Sequence, residues 1–107
     1  MNVLFICSRN QWRSPTAEKV WRGRAGLSTR SAGTSRNAKR KVSASDIRWA
    51  DGIMVMGQKH KNRLTTDFTR LLKHKQLNIL EIPDGYNYMD PELVEHFEVA
   101  IPVLLDL

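Results

Sequence analysis

Cys7 is the only cysteine in the chain, and Arg13 follows it six positions later with Ser14 beside it. A deprotonated cysteine is a strong nucleophile, and an arginine fork can grip two oxygens of one anion. The residues between them, Ser8, Arg9, Asn10, Gln11 and Trp12, lead from the apolar run Val3-Leu4-Phe5-Ile6 into the helix-like Thr16-Ala17-Glu18-Lys19-Val20-Trp21. A loop that ends a buried strand and opens a helix presents backbone amides able to curl around a tetrahedral anion. With Arg13 closing over it, such a cradle suits the dianion of a phosphate monoester. The same amides and guanidinium stabilise a thiolate, and the Ser14 hydroxyl can donate to it, so Cys7 is expected to be nucleophilic. Asn10 reads as a loop-shaping residue whose side chain bonds backbone.

These residues need elements to hold them. Residues 2 to 7 predict a first strand, apolar on both faces, as in the centre of a parallel sheet covered by helices. Pro15 suits a first helical turn, Ser14 before it can cap, and Ala17, Val20 and Trp21 recur at helical spacing up to Gly23 or Gly26. Leu27–Gly33 reads as a short edge strand, followed by a basic loop from Thr34 to Lys41. Ser43-Ala44-Ser45-Asp46 has capping-box spacing and starts a short helix carrying Ile47 and Trp49. Asp51–Gly57 is a third strand, apolar on both faces, and a helix over Gln58–Leu72 places Leu64, Phe68, Leu71 and Leu72 inward. Leu77–Ile82 is the fourth strand. Asp90-Pro91-Glu92 then opens the last helix in N-cap, N1, N2 order, with Leu93, Val94, Phe97, Ile101, Leu104 and Leu105 inward and a kink at Pro102.

The alternation β-α-β-α-β-α-β-α predicts one α/β domain over residues 1–107, without repeats or linkers: an open four-stranded parallel sheet with helices on both faces. The order 2-1-3-4 would put the loop after Cys7 at the switch point between strands one and three, where ligands of such sheets bind.

A net charge of +6, from 17 basic and 11 acidic residues, favours anionic partners without choosing among phosphates, nucleic acid and acidic lipid. One cysteine forbids an intramolecular disulfide and is too few for a cysteine-based zinc or iron-sulfur site. His60, His74 and His96 share no ligand spacing and read as surface residues, so no metal is expected. The apolar run after Met1 is too short for a signal peptide or a membrane span, which makes the cytoplasm the expected location and membrane insertion unexpected.

The segment Val-Leu-Phe-Ile-Cys-Ser-Arg-Asn-Gln-Trp-Arg-Ser-Pro-Thr-Ala-Glu at residues 3–18 resembles the signature of the low-molecular-weight protein tyrosine phosphatases. Ser31–Thr34 resembles that family's second strand and following loop, Ala50–Met56 its third strand, and Asp90-Pro91 its acid-bearing pair. The resemblance implies a flavodoxin-like sheet, hydrolysis of phosphate monoesters through a phosphocysteine, no cofactor and no metal. It further implies Cys7 as nucleophile, Arg13 as phosphate clamp, Asp90 as general acid, and phosphorylated protein, phosphotyrosine above all, or a small phosphate monoester as substrate. Asp84, in Ile-Pro-Asp-Gly, is the rival acid, although that tetrapeptide is more simply a turn.

Three departures stand out. Arg9 replaces a usual glycine, Trp12 replaces a second cysteine, and Glu92-Leu93 replace the aromatic pair after the acid. The segment between Thr34 and Ser43 is also abridged. A non-catalytic alternative, an anion- or nucleic-acid-binding module using Arg9, Arg13 and the basic runs at 36–41 and 59–63, lacks interleaved aromatic residues.

Overall fold

A computed structural model describes all residues from Met1 to Leu107. Along the chain run β1 (Asn2–Cys7), α1 (Arg13–Trp21), β2 (Ser28–Gly33), α2 (Ala44–Trp49), β3 (Gly52–Val55), α3 (Gln58–Phe68), β4 (Gln76–Ile79) and α4 (Pro91–Leu105). All strands are parallel, and the sheet runs β2-β1-β3-β4.

The fully apolar β1 follows from its central place. Alternate side chains point to opposite faces, so Val3, Phe5 and Cys7 join Ala17 and Trp21 of α1 and Leu93, Phe97 and Ile101 of α4. Leu4 and Ile6 meet Ile47 of α2 and Leu64 of α3 on the other face. Each buried Leu, Ile or Phe contributes about 1.5–3 kcal/mol, and the two cores clamp β1 from both sides. The indole of Trp21 donates to the Phe97 carbonyl at 3.1 Å, joining α1 to α4.

Helix starts follow local chemistry. Ser43 and Asp46 form the expected reciprocal capping box of α2. Asp90 caps α4 by accepting from the Glu92 amide at 2.9 Å, with Pro91 next. The strands differ from their expected bounds by a residue or two, the third being Gly52–Val55 rather than Asp51–Gly57, and two ends shift further. The fourth strand ends at Ile79 rather than Ile82, because Glu81 takes a left-handed φ of 55°; Leu80 and Ile82 still donate to the Val55 and Met56 carbonyls at 2.8 and 2.9 Å. The helix expected to reach Leu72 ends at Phe68, although Leu71 and Leu72 still pack on the core.

Candidate active site

The loop from Ser8 to Trp12 leaves β1 beside both of its neighbours. Several carbonyls along it are bound to neighbouring backbone: the amides of Thr34, Ser35 and Lys39 donate to the oxygens of Cys7, Ser8 and Arg9 at 3.0, 2.9 and 3.0 Å. The Trp12 oxygen takes the amide and hydroxyl of Thr16 at 3.1 and 2.7 Å. None of the backbone amides from Ser8 to Ser14 donates to a protein acceptor. A segment whose carbonyls are largely engaged by backbone while its amides have no protein acceptor has donors free for an anion, which is the requirement for a nest.

Two residues shape the curl. Asn10 is buried at φ 53°, a left-handed conformation that asparagine tolerates better than most residues. Its amide donates to the hydroxyls of Ser14 at 3.0 Å and Ser31 at 2.9 Å, and Ser31 donates to Glu18 at 2.6 Å. Asn10 thus bonds side-chain oxygens where backbone was expected. Gly33 lets β2 pass close behind, since a Cβ there would sit 2.5 Å from the Ser8 carbonyl oxygen. Arg9, where a glycine was expected to be needed for backbone freedom, has no left-handed φ; that conformation falls on Asn10.

Cys7 is 3% exposed at the base of a cavity of about 240 Å³, lined also by Ser8, Arg9, Gln11, Trp12, Arg13, Lys59 and Asp84. Its sulfur lies 3.0 Å from the Ser14 hydroxyl. Ser14 therefore does not cap α1, which starts at Arg13 after an uncapped Trp12. The buried Arg13 donates through Nη1 to the Ile82 carbonyl at 2.7 Å and through Nη2 to Asp84 Oδ1 at 2.7 Å. Lys59 approaches the other Asp84 oxygen at 3.9 Å.

One expected site residue lies apart from the cavity, and one expectation needs correction. Asp90 does not line this cavity. Left-handed turns at Gly85 (φ 112°) and Met89 (φ 61°) bend the connection, and the Met89 amide is tied to the Thr16 hydroxyl of α1 at 2.9 Å. This path carries Asp84 over Arg13 and delivers Asp90 to the start of α4, near Tyr86 and Glu92. His60 is not a surface residue: it is 1% exposed, with Nε2 at 2.9 Å from the Ser8 hydroxyl and a buried Nδ1 that has no partner. Burial, then the positive charges of Arg13 and Lys59, push its pKa down to about 4 against the opposing pull of Asp84 and of the Gly57 backbone. The signal was present in the spacing, because His60 lies one turn before the buried Leu64. The exposed Lys59 and Lys61 obscured it. His74 and His96 are exposed, as expected, and no cluster of potential metal ligands is present.

A doubly wound parallel sheet with the loop from cysteine to arginine at its switch point defines a flavodoxin-like α/β fold. The more particular fold is that of the low-molecular-weight protein tyrosine phosphatases. The low molecular weight phosphotyrosine phosphatase of Vibrio cholerae O395 superposes with a TM-score of 0.75 at 22% identity, over 99% of this chain and 97% of its own. The YwlE arginine phosphatase of Geobacillus stearothermophilus matches at 0.66 and 20% identity, over 98% and 88%. A thioredoxin-dependent arsenate reductase of Corynebacterium glutamicum matches at 0.66 and 21% identity, over 98% of this chain and 60% of its own. No family model and no curated protein matches the sequence.

Proposed function

We propose that this protein hydrolyses phosphate monoesters through a phosphocysteine intermediate. The observation that carries the reading is the run of unengaged amides from Ser8 to Ser14 beside the Cys7 sulfur, with Arg13 at the same cavity. Unengaged amides following the thiol in the chain, and a guanidinium at its cavity, suit stabilisation of a thiolate and of the charge on three equatorial phosphoryl oxygens.

In the first step the Cys7 thiolate attacks phosphorus, the bond to the ester oxygen breaks, and Asp84 gives its proton to the departing oxygen. Water then attacks the phosphocysteine, its proton passes to the Asp84 carboxylate, and the sulfur–phosphorus bond breaks to restore the thiolate. Asp84 is assigned this role in place of Asp90, because its carboxylate lines the cavity and meets Arg13 at 2.7 Å. The Ile82 carbonyl anchors one arm of Arg13, while the arm now on Asp84 turns to phosphate oxygens when substrate binds. Ser14, at 3.0 Å from the sulfur, stabilises the thiolate as leaving group.

An aryl ester such as protein phosphotyrosine suits the mouth of the cavity, where the half-exposed indole of Trp12 offers a stacking face. Structures of this fold include tyrosine phosphatases, an arginine phosphatase and an arsenate reductase. Arsenate reduction would require a thiol from outside the chain, because Cys7 is its only cysteine. A single unpaired thiol suits a reducing compartment such as the cytoplasm, and no helix is long and apolar enough to cross a membrane.

The test is turnover of p-nitrophenyl phosphate by the wild type and by Cys7→Ser. Activity in the first and none in the second is expected. A wild type without activity, or a variant that keeps it, rejects the reading. Phosphotyrosyl and phosphoarginyl peptides then decide the substrate, the former being expected to turn over faster.

A further inference from the structure

His60 and Ser8 form a buried pair that the two chemical steps above leave unused. His60 Nε2 lies 2.9 Å from Ser8 Oγ, and that oxygen has no other hydrogen-bond partner in the protein. Ser8 lines the Cys7 cavity and also an adjoining polar cleft with Thr34, Ser35 and Arg63. A neutral imidazole carries one proton. On Nδ1 that proton would meet only the Gly57 carbonyl of its own turn, without a formed hydrogen bond, whereas on Nε2 it meets the Ser8 oxygen at 2.9 Å. The second arrangement makes Ser8 an acceptor from His60 and leaves its own hydroxyl proton for an acceptor in the cavity.

We propose that Ser8, with its hydroxyl oriented by His60, is a side-chain donor to the oxyanion held over Cys7, in addition to the backbone amides. The proposal rests on the phosphatase reading and assigns His60 as a positioning residue. The charged groups that face the imidazole are Arg13 of α1, Lys59 of α3 and Asp84 of the loop after β4. The two cations and the burial outweigh the carboxylate, so the ring stays neutral and keeps a single donor. The hydroxyl that His60 directs differs from the amides in one respect: a side-chain substitution can remove it without disturbing the backbone.

The experiment compares kcat/KM on p-nitrophenyl phosphate, calorimetric affinity for inorganic phosphate, and melting temperature across Ser8→Ala, His60→Gln, His60→Phe and the double variant Ser8→Ala/His60→Phe. Ser8→Ala is expected to lose about tenfold or more in kcat/KM and in phosphate affinity, the usual effect of one hydrogen bond to a charged group. His60→Gln, whose amide reaches about as far as Nε2, should retain most of both. His60→Phe should lose as much as Ser8→Ala, and the double variant no more than either. Should His60→Phe fail to fold, His60→Asn, whose amide stops short of Ser8, takes its place.

Unchanged kcat/KM and phosphate affinity in Ser8→Ala overturn the proposal. So do fully additive losses in the double variant, or His60 substitutions that lower only the melting temperature. A wild type that binds phosphate but turns nothing over rejects the phosphatase reading alone, and its phosphate affinities still decide the role of Ser8. A wild type that does not bind phosphate overturns this proposal directly.

Discussion

Asp84 and Asp90 lie six positions apart and have different surroundings, so they give different predictions. Asp84 contacts Arg13 at 2.7 Å and lines the Cys7 cavity. Asp84→Asn is expected to lower kcat about 10²–10⁴-fold on aryl phosphates with poor leaving groups. The loss should be smaller on p-nitrophenyl phosphate, whose leaving group needs little protonation, and steady-state kinetics over a series of phenols reads the difference. Asp90 accepts from the Glu92 amide at 2.9 Å. Asp90→Ala should leave turnover intact and cost about 1 kcal/mol in urea unfolding, the value of a lost N-cap. The acid pair was legible in the sequence only as two candidates, because turn and cap chemistry suit both positions and neither reveals which carboxylate meets Arg13. That choice depends on the left-handed turns at Glu81, Gly85 and Met89, conformations that the identities Glu and Met do not signal.

At the scale of elements, the loop is held by what lies behind it. Gly33, the last residue of β2, is where the second strand touches the loop. A Cβ there would be 2.5 Å from the Ser8 carbonyl oxygen and 2.7 Å from the Ala38 Cβ. Gly33→Ala must therefore push the loop or the 34–39 segment away. Loss of phosphate binding together with a lowered melting temperature is expected, read by calorimetry and thermal unfolding. Ser43→Ala, at the capping box of α2, makes a useful contrast. Its cost should be about 1 kcal/mol of stability, with phosphate affinity unchanged, since α2 packs on the sheet face opposite α1. Element identity was readable because Val3–Ile6 and Ile53–Val55 are apolar on both faces, and because Ser43, Asp46, Asp90 and Pro91 carry local start signals. Element ends were less so: β4 stops where Glu81 leaves the extended region, and the Leu80 and Ile82 amides still bond to β3 as if the strand continued.

At the scale of the whole molecule, a buried neutral histidine couples folding to pH. The His60 pKa falls from 6.5 to about 4 on folding. Between those values the unfolded chain binds a proton that the folded chain refuses, so stability falls as pH drops from about 6.5 to about 4. The slope approaches 1.4 kcal/mol per pH unit from this group, or about 3 kcal/mol over the window. Urea denaturation from pH 7 to pH 4.5 should show the decline in the wild type and a flatter curve in His60→Gln. Asp46 acts at lower pH: burial opposes its charge, yet Arg40 and the Ser43 amide hold its pKa below the ordinary 3.8. Its contribution is present above that value and lost only as pH falls below it. An early decline above pH 4.5 is thus assignable to histidine rather than to this carboxylate.

The sequence by itself determined the parallel α/β sheet, the order of its strands and the cysteine-to-arginine loop. The strand types and the loop depend on residues contiguous in the chain: a two-sided apolar run marks a central strand, and a loop joining strand to helix can present its amides, while the order follows from seating the apolar strands centrally. Only the tertiary structure decided the residues that meet the loop from elsewhere. Asp84 reaches Arg13 across a separation of 71 positions, as 84 minus 13, and His60 reaches Ser8 across 52. Such pairs leave no local periodicity or cap to read, because their contact is made by the packing of α3 and the path of the chain after β4.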